Sequence, residues 1–237
     1  MDSTSYTPYK LSIRLQSDGF SLSVYDSELA ILTSKSGEIN LLKINEEELV
    51  QEFKHLFETD INCDNVELIL DNEFYTIIPD FFGDVDIFVA LMRFQHPEFE
   101  SNNSVIYSKQ FVNLKTNLIF SCPLKLKNAI NKTFTKVTIL HAAVELLDRA
   151  NNNGIFVALG STKIDLAVVS ENKLQLLNSY TFSSNEDILY HLLNIMYTLK
   201  LQAEMRELKI FTHQNRPELQ NLLVKHIPNT TIIQLKN

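Results

Sequence analysis

The residues best suited to chemistry follow an apolar run: Ala158-Leu159-Gly160-Ser161-Thr162-Lys163-Ile164-Asp165. A residue without a bulky Cβ substituent lets backbone N–H groups approach a phosphate, and a carboxylate can hold a divalent cation. The P-loop pattern Gly-x-x-x-x-Gly-Lys-Ser/Thr is not met, because five residues separate Gly154 from Gly160 and Ser161 follows Gly160 directly. Ser161 also lacks the Gly-x-Ser-x-Gly elbow of a nucleophile, and Cys122 precedes Pro123 with no evident base. His141 and Glu145 are spaced by one helical turn and could ligate a metal, but no second His-rich element accompanies them, so capping or packing is the expectation. A two-metal nuclease needs acidic residues on several strands. Asp26 and Asp71 end strands, but Arg14 interrupts the first.

Behind these residues lies a repeated order of elements. Tyr9 to Leu15 and Phe20 to Asp26 alternate around Gln16-Ser17-Asp18-Gly19, a hairpin signal. A third strand is expected over Glu38 to Ile44, after a turn at Ser36-Gly37. Asn45-Glu46-Glu47-Glu48 then caps a helix with Leu49, Phe53, Leu56 and Phe57 on one face, and Val66 to Asp71 returns to strand. The second half repeats this: strands over Ile155 to Gly160, Lys163 to Ser170 and Lys173 to Tyr180, then a helix capped at Asn185-Glu186-Asp187. That helix carries Ile188, Leu192, Ile195, Met196 and Leu199. Strands over Leu208 to Thr212 and Thr231 to Leu235 flank a helix over Arg216 to His226. Between the halves lie strands over Val105 to Val112 and Asn117 to Cys122, a helix after Pro123, and Lys136 to Leu140 running into a helix over His141 to Ala150. Glu100 to Ser104 and Asn151 to Gly154 read as joints.

The composition restricts the function classes. With 237 residues, 45% hydrophobic and 21% charged, the chain has the balance of a folded protein large enough for one bilobal unit. A net charge of −8 without a dense Lys/Arg run sets it against a nucleic-acid backbone. The segment Met1 to Lys10 carries no secretory pattern, and apolar stretches such as Ile87 to Met92 fall short of a membrane span. Cys63 and Cys122 could pair, yet without an export signal they read as reduced, partly buried thiols in a cytoplasmic protein. The aromatics Phe74, Tyr75, Phe81, Phe82, Phe88, Phe94 and Phe99 read as core between a sheet and its helices; an exposed patch for a protein partner is the alternative.

Three antiparallel strands, a helix and a further strand, occurring twice, make an α/β chain that resembles the actin-like (duplicated ribonuclease-H-like) fold, with a mixed five-stranded sheet and flanking helices in each of two lobes. Ala158 to Val168 is similar to the second phosphate loop of actin-like ATPases, keeping Gly160 and Asp165. His141-Ala142-Ala143-Val144-Glu145-Leu146-Leu147 resembles the connecting helix with its paired alanines. The implied lobes are 1–140 and 141–237, with 141–150 as connector. The chain also resembles trimmed bacterial proteins of this fold grouped as a domain of unknown function.

The resemblance implies a nucleotide cleft, and its signature has decayed. Arg14 stands where the first loop would have Asp, Gln16 where it would have Gly, and Ala158 where the second loop would have Asp. The adenosine loop falls at His213-Gln214-Asn215 without glycine. What remains is a vestigial cleft of Arg14, Gln16, Gly160, Ser161, Thr162, Asp165 and His213, in which Arg14 could attract an anion but not hold a metal. The expectation is a protein without catalysis, metal or cofactor that holds an unknown protein partner. Divergent phosphotransfer, with Asp165 and Glu145 replacing the lost carboxylates, is the alternative, as is a nucleotide sensor. ATP and magnesium are disfavoured.

Overall fold

The structure, a computed structural model, describes residues 10–16, 19–38, 40–41, 43–56, 65–201 and 207–235. Ser17 and Asp18 of the expected first turn, Phe57 of the expected helix face, Cys63, and all of the leading segment except Lys10 lie outside them. The chain divides into two compact units. The first draws on Met1–Thr76, Phe82–Lys109 and Leu118–Ala142, and the second on Ile77–Phe81, Gln110–Asn117 and Ala143–Asn237.

In the first unit β1 (Lys10–Gln16) and β2 (Gly19–Tyr25) pair antiparallel. Alternation buries Leu11, Ile13 and Leu15 from one strand and Leu22 and Val24 from the other. At the start of β2 the backbone of Gly37 comes close: a Cβ on Gly19, whose φ is +158°, would stand 2.2 Å from the Gly37 carbonyl oxygen. The third strand is β3 (Ile31–Gly37), paired antiparallel with β2, so the expected strand over Glu38 to Ile44 is corrected. Its turn comes earlier, where Asp26 Oδ1 accepts from the Glu28 and Ala30 amides at 2.9 Å each and Leu29 adopts φ 62°. Buried Asp26 thus builds a turn.

Helix α1 (Glu46–Leu56) follows, capped reciprocally: Asn45 Oδ1 accepts from the Glu48 amide at 2.9 Å and Glu48 Oε2 from the Asn45 amide at 3.2 Å. Leu49 and Phe53 are buried on its inner face. Strand β4 (Asn65–Asp71) lies parallel to β1, and β8 (Val137–His141) parallel to β4, giving the order β3-β2-β1-β4-β8. Between β4 and β8 the chain adds β5 (Tyr75–Pro79), α2 (Val85–Gln95), β6 (Ser104–Phe111), β7 (Thr116–Pro123) and α3 (Leu124–Thr133). These three strands form a sheet in the order β5-β7-β6. Helix α3 packs on α1.

His141 ends β8 and does not share a helix with Glu145, which lies on α4 (Ala143–Arg149). His141 is buried, its Nε2 sits 2.9 Å from the Asn72 carbonyl oxygen, and its ring packs against Tyr75 and Phe120. It is a packing residue. The aromatic cluster divides: Phe88 and Phe99 are core, whereas Phe81 is exposed and Phe94 is 86% exposed.

The second unit repeats the first sheet. Strands β9 (Gly154–Leu159), β10 (Lys163–Ser170) and β11 (Lys173–Thr181) form an antiparallel meander, while β12 (Leu208–Thr212) and β13 (Thr230–Gln234) add in parallel, in the order β11-β10-β9-β12-β13. Helices α5 (Asn185–Thr198) and α6 (Pro217–His226) cover one face through Ile188, Leu192, Leu219 and Leu223, which join Val157, Leu166 and Ile210 in one core. Helix α4 packs against β9 and β10. Burial on both faces explains why these two strands read as nearly continuous apolar runs. The cap of α5 is Ser184, one residue earlier than expected, in a capping box with Asp187. Leu199, expected on its buried face, is exposed. Each sheet of five strands has the same order, so the duplicated α/β fold is present. Among the described residues no helix is long and apolar enough to cross a membrane.

Candidate functional site

Each unit holds part of the residue set read from the sequence. In the first, Arg14 lies on β1 between Ser21 of β2 and Ile69 of β4, and Gln16 between Gly19 and Asp71. Parallel pairing therefore delivers Asp71, at the carboxyl end of β4, beside both. Asp71 Oδ2 accepts from Gln16 Nε2 at 3.4 Å and stands 4.0 Å from Arg14 Nη1. The side chains are 25% exposed for Arg14 and 10% for Asp71, so the pair sits where water screens it only in part. Arg14 therefore faces a carboxylate of its own chain, which offsets the pull it could exert on an anion.

In the second unit Gly160, Ser161 and Thr162 form the exposed turn between β9 and β10, closed by Gly160 N–H donating to Lys163 O at 2.9 Å. Thr162 O accepts from the Phe182 amide at 3.0 Å. Asp165 faces Ala158 on β9 and Ser179 on β11. Its Oδ1 lies 3.2 Å from Lys163 Nζ and accepts from Ser179 Oγ. His213 follows β12, whose last residue Thr212 is in register with Leu159, so the Gly160 and His213 turns leave the sheet at the same edge. That edge is the carboxyl end of the parallel strands, where ligands of open α/β sheets bind. The second turn is held by Gln214 N–H donating to Thr212 Oγ1 at 3.1 Å and by Arg216, whose Nη2 donates to Gln214 Oε1 at 2.7 Å.

Within the second unit the fold thus brings Gly160, Ser161, Thr162 and His213 to one edge, with Asp165 further along β10. The partners of the two carboxylates, Gln16 and Arg14 for Asp71 and Lys163 and Ser179 for Asp165, carry no motif. Strand register creates all but Lys163, which shares a face of β10 with Asp165 at a spacing of two. Magnesium with a nucleotide takes carboxylate oxygens, and here Asp71 and Asp165 are each engaged at one oxygen by a cation and a hydrogen-bond donor of the chain, while Glu145 lies on α4. Close phosphate approach needs a chain without bulk, yet Gln16, His213 and Gln214 stand at the turns. Among the described residues no group of three or more His, Cys, Asp or Glu side chains could hold a metal.

Residues 1–230 match the family described as "Protein of unknown function (DUF3822)". Comparison with curated proteins found no match. Among solved structures, a Bacteroides thetaiotaomicron protein with actin-like ATPase fold and unknown function is similar over 98% of this chain and 93% of its own, at 20% identity and a TM-score of 0.74. The PilM-PilN complex of type IV pilus biogenesis is similar over 96% of this chain and 88% of that one, at 11% identity and TM-score 0.56. The ethanolamine utilization protein EutJ of Carboxydothermus hydrogenoformans is similar over 95% and 84%, at 10% identity and TM-score 0.52. At these identities the likeness is one of fold, and the fold is actin-like.

Proposed function

Because the chain belongs to the DUF3822 family and has the actin-like fold, we propose that it is a non-catalytic member of that fold which holds a protein partner. The observation that carries this reading is the state of two strand carboxylates, Asp71 on β4 and Asp165 on β10. Asp71 is engaged at Oδ2 by Arg14 and Gln16, and Asp165 at Oδ1 by Lys163 and Ser179, so the charge that each could offer a metal is already partly offset by the chain itself. Asp165 is then a structural residue of the β9–β10–β11 meander rather than a replacement catalytic acid. Exposed aromatics support the partner half of the reading. Tyr197 on α5 is 85% exposed, and Phe94 on α2 also faces outward; aromatic residues are enriched in interface cores. The similar PilM structure is itself a complex with PilN, so the fold accommodates such a role.

The test is phosphate release from magnesium-ATP by the purified chain. The expected outcome is release no faster than without protein. Saturable turnover that disappears on changing Gly160 would sink the proposal.

A further inference from the structure

We propose that a cavity in the first unit docks an extended partner segment in which a Lys or Arg lies beside an apolar residue. This rests on the reading that the protein holds a partner, and adds where and by what chemistry. The cavity has a volume of about 600 Å³ and opens between α1, α3, the 3₁₀ turn at Ser101–Asn103 and the starts of β6 and α3. Its apolar surface comes from Phe74, Phe99, Pro123 and Leu124. Among the described residues, three carboxylates, Glu46, Glu98 and Glu100, line it against one cation, Lys125.

The charges do not cancel evenly across the cavity. On the α1–α3 side Glu46 is bonded by Lys132 and by Asn128 Nδ2 at 3.1 Å, which holds its carboxyl below the usual carboxylate range. Lys125 on the same side directs its ammonium to the Ile44 carbonyl oxygen at 2.7 Å. On the opposite side Glu100 accepts from the neutral Asn103 amide at 2.8 Å, and the neighbour of Glu98 is the His96 ring, with Nδ1 at 3.9 Å. Arg93, which does not line the cavity, is bonded to Ser101 Oγ. Negative charge is therefore concentrated at Glu98 and Glu100, next to the apolar surface of Phe74 and Phe99. Phe74 packs 5.7 Å from the His96 ring and 6.4 Å from Phe99, which fixes that wall.

The rim argues for a peptide over a small molecule. Leu124 is 38% exposed and the Glu98 side chain 60%, so the cavity cannot enclose a compound on all sides. A peptide overcomes this by continuing along the surface, with its apolar side chain on Phe99 and Leu124 and its cation at the two carboxylates. The wall is also preorganised, because the 3₁₀ turn carries an internal bond from Asn103 N–H to Glu100 O at 3.1 Å.

The experiment is selection of a random displayed peptide library on the full chain, followed by anisotropy titration of a synthesised enriched peptide. Enriched sequences should place Lys or Arg next to Leu, Ile or Phe, and binding should weaken with ionic strength. The double variant Glu98→Gln/Glu100→Gln should weaken it about tenfold, and Leu124→Asp should abolish it. Both sites are exposed, so folding is checked independently by unchanged unfolding midpoints. No enrichment, acidic or purely apolar sequences, or a peptide indifferent to both variants would overturn the proposal. An indifferent peptide would still leave partner-holding intact at another surface, whereas magnesium-ATP turnover would remove the parent reading.

Discussion

Arg14→Asp replaces a cation of β1 by a carboxylate, and its cost can be worked from the pair it breaks. Arg14 Nη1 lies 4.0 Å from Asp71 Oδ2. Two unit charges at that distance interact by roughly 4 kcal/mol at an effective dielectric of about 20. The partial exposure of Arg14 and the entropy of ordering it reduce what reaches stability, so loss of the attraction alone costs about 1 kcal/mol. A second carboxylate facing Asp71 adds repulsion of similar or larger size, for a total of about 2–4 kcal/mol at neutral pH. The sign with pH follows from like charges: two close carboxylates raise each other's proton affinity in the folded state, so the deficit is largest near pH 7 and shrinks as pH falls towards about 4.5. Arg14→Met removes the attraction without the repulsion and should cost about 1 kcal/mol with little pH dependence. Urea denaturation followed by circular dichroism at both pH values measures each. An Arg14→Asp variant as stable as the native chain at neutral pH, or a deficit that grows on acidification, would refute the reasoning.

Four further outcomes are expected. Ser184→Ala removes the acceptor of the Asp187 amide at 3.1 Å and should lower stability by about 1 kcal/mol in urea denaturation, with Ser184→Asp near neutral. Gly19→Ala drives a Cβ into the Gly37 carbonyl and should cost more than about 2 kcal/mol, whereas Gly83→Ala meets nothing within 4 Å and should stay within about 0.5 kcal/mol of native in the same assay. Burial pushes the buried Cys122 thiol up from 9.0 to about 12. In a Cys63→Ser background it should therefore resist iodoacetamide at mildly alkaline pH until denaturant is added, and its contribution to stability, intact below pH 9.0, is lost as pH rises towards about 12. Bonds from the Ser183 and Ser184 amides hold the Asp187 carboxyl below its ordinary 3.8, so its contribution is present above that value and lost as pH falls through the lower folded one. Asp187→Asn should flatten the acid limb of a stability–pH curve.

How far the fold was legible depended on what each element buries. The meander β9–β10–β11 and helices α5 and α6 were legible because buried Ile155, Val157, Ile164, Leu166, Ile188 and Leu192 impose a clear period on the sequence. Strand β3 was not, because Ile-Leu-Thr-Ser-Lys-Ser-Gly forms an exposed edge with no buried face to mark it. Helix α2 hid for the opposite reason: Ile87, Val89, Leu91 and Phe94 surround the buried Phe88 and Met92, so no polar stripe breaks the apolar run. At the candidate site, Gly160 and Asp165 stood out by sequence. The engagement of Asp71 by Arg14 and Gln16 did not, because it depends on the register of two parallel strands far apart in the chain. The bond of Ser179 to Asp165 likewise follows from the β10–β11 register, whereas Lys163 reaches Asp165 from two residues away on the same face of β10.

The most direct test is calorimetric titration of the full chain with ATP in the presence of magnesium, paired with a thermal-shift measurement. A ligand held at about 100 times its dissociation constant stabilises the state that binds it by about 2.7 kcal/mol, on the order of 5–10 °C for a domain of this size. The account predicts no saturable heat and no shift. A saturable isotherm with a shift of that size, lost when magnesium is removed or Gly160 is replaced, would contradict it.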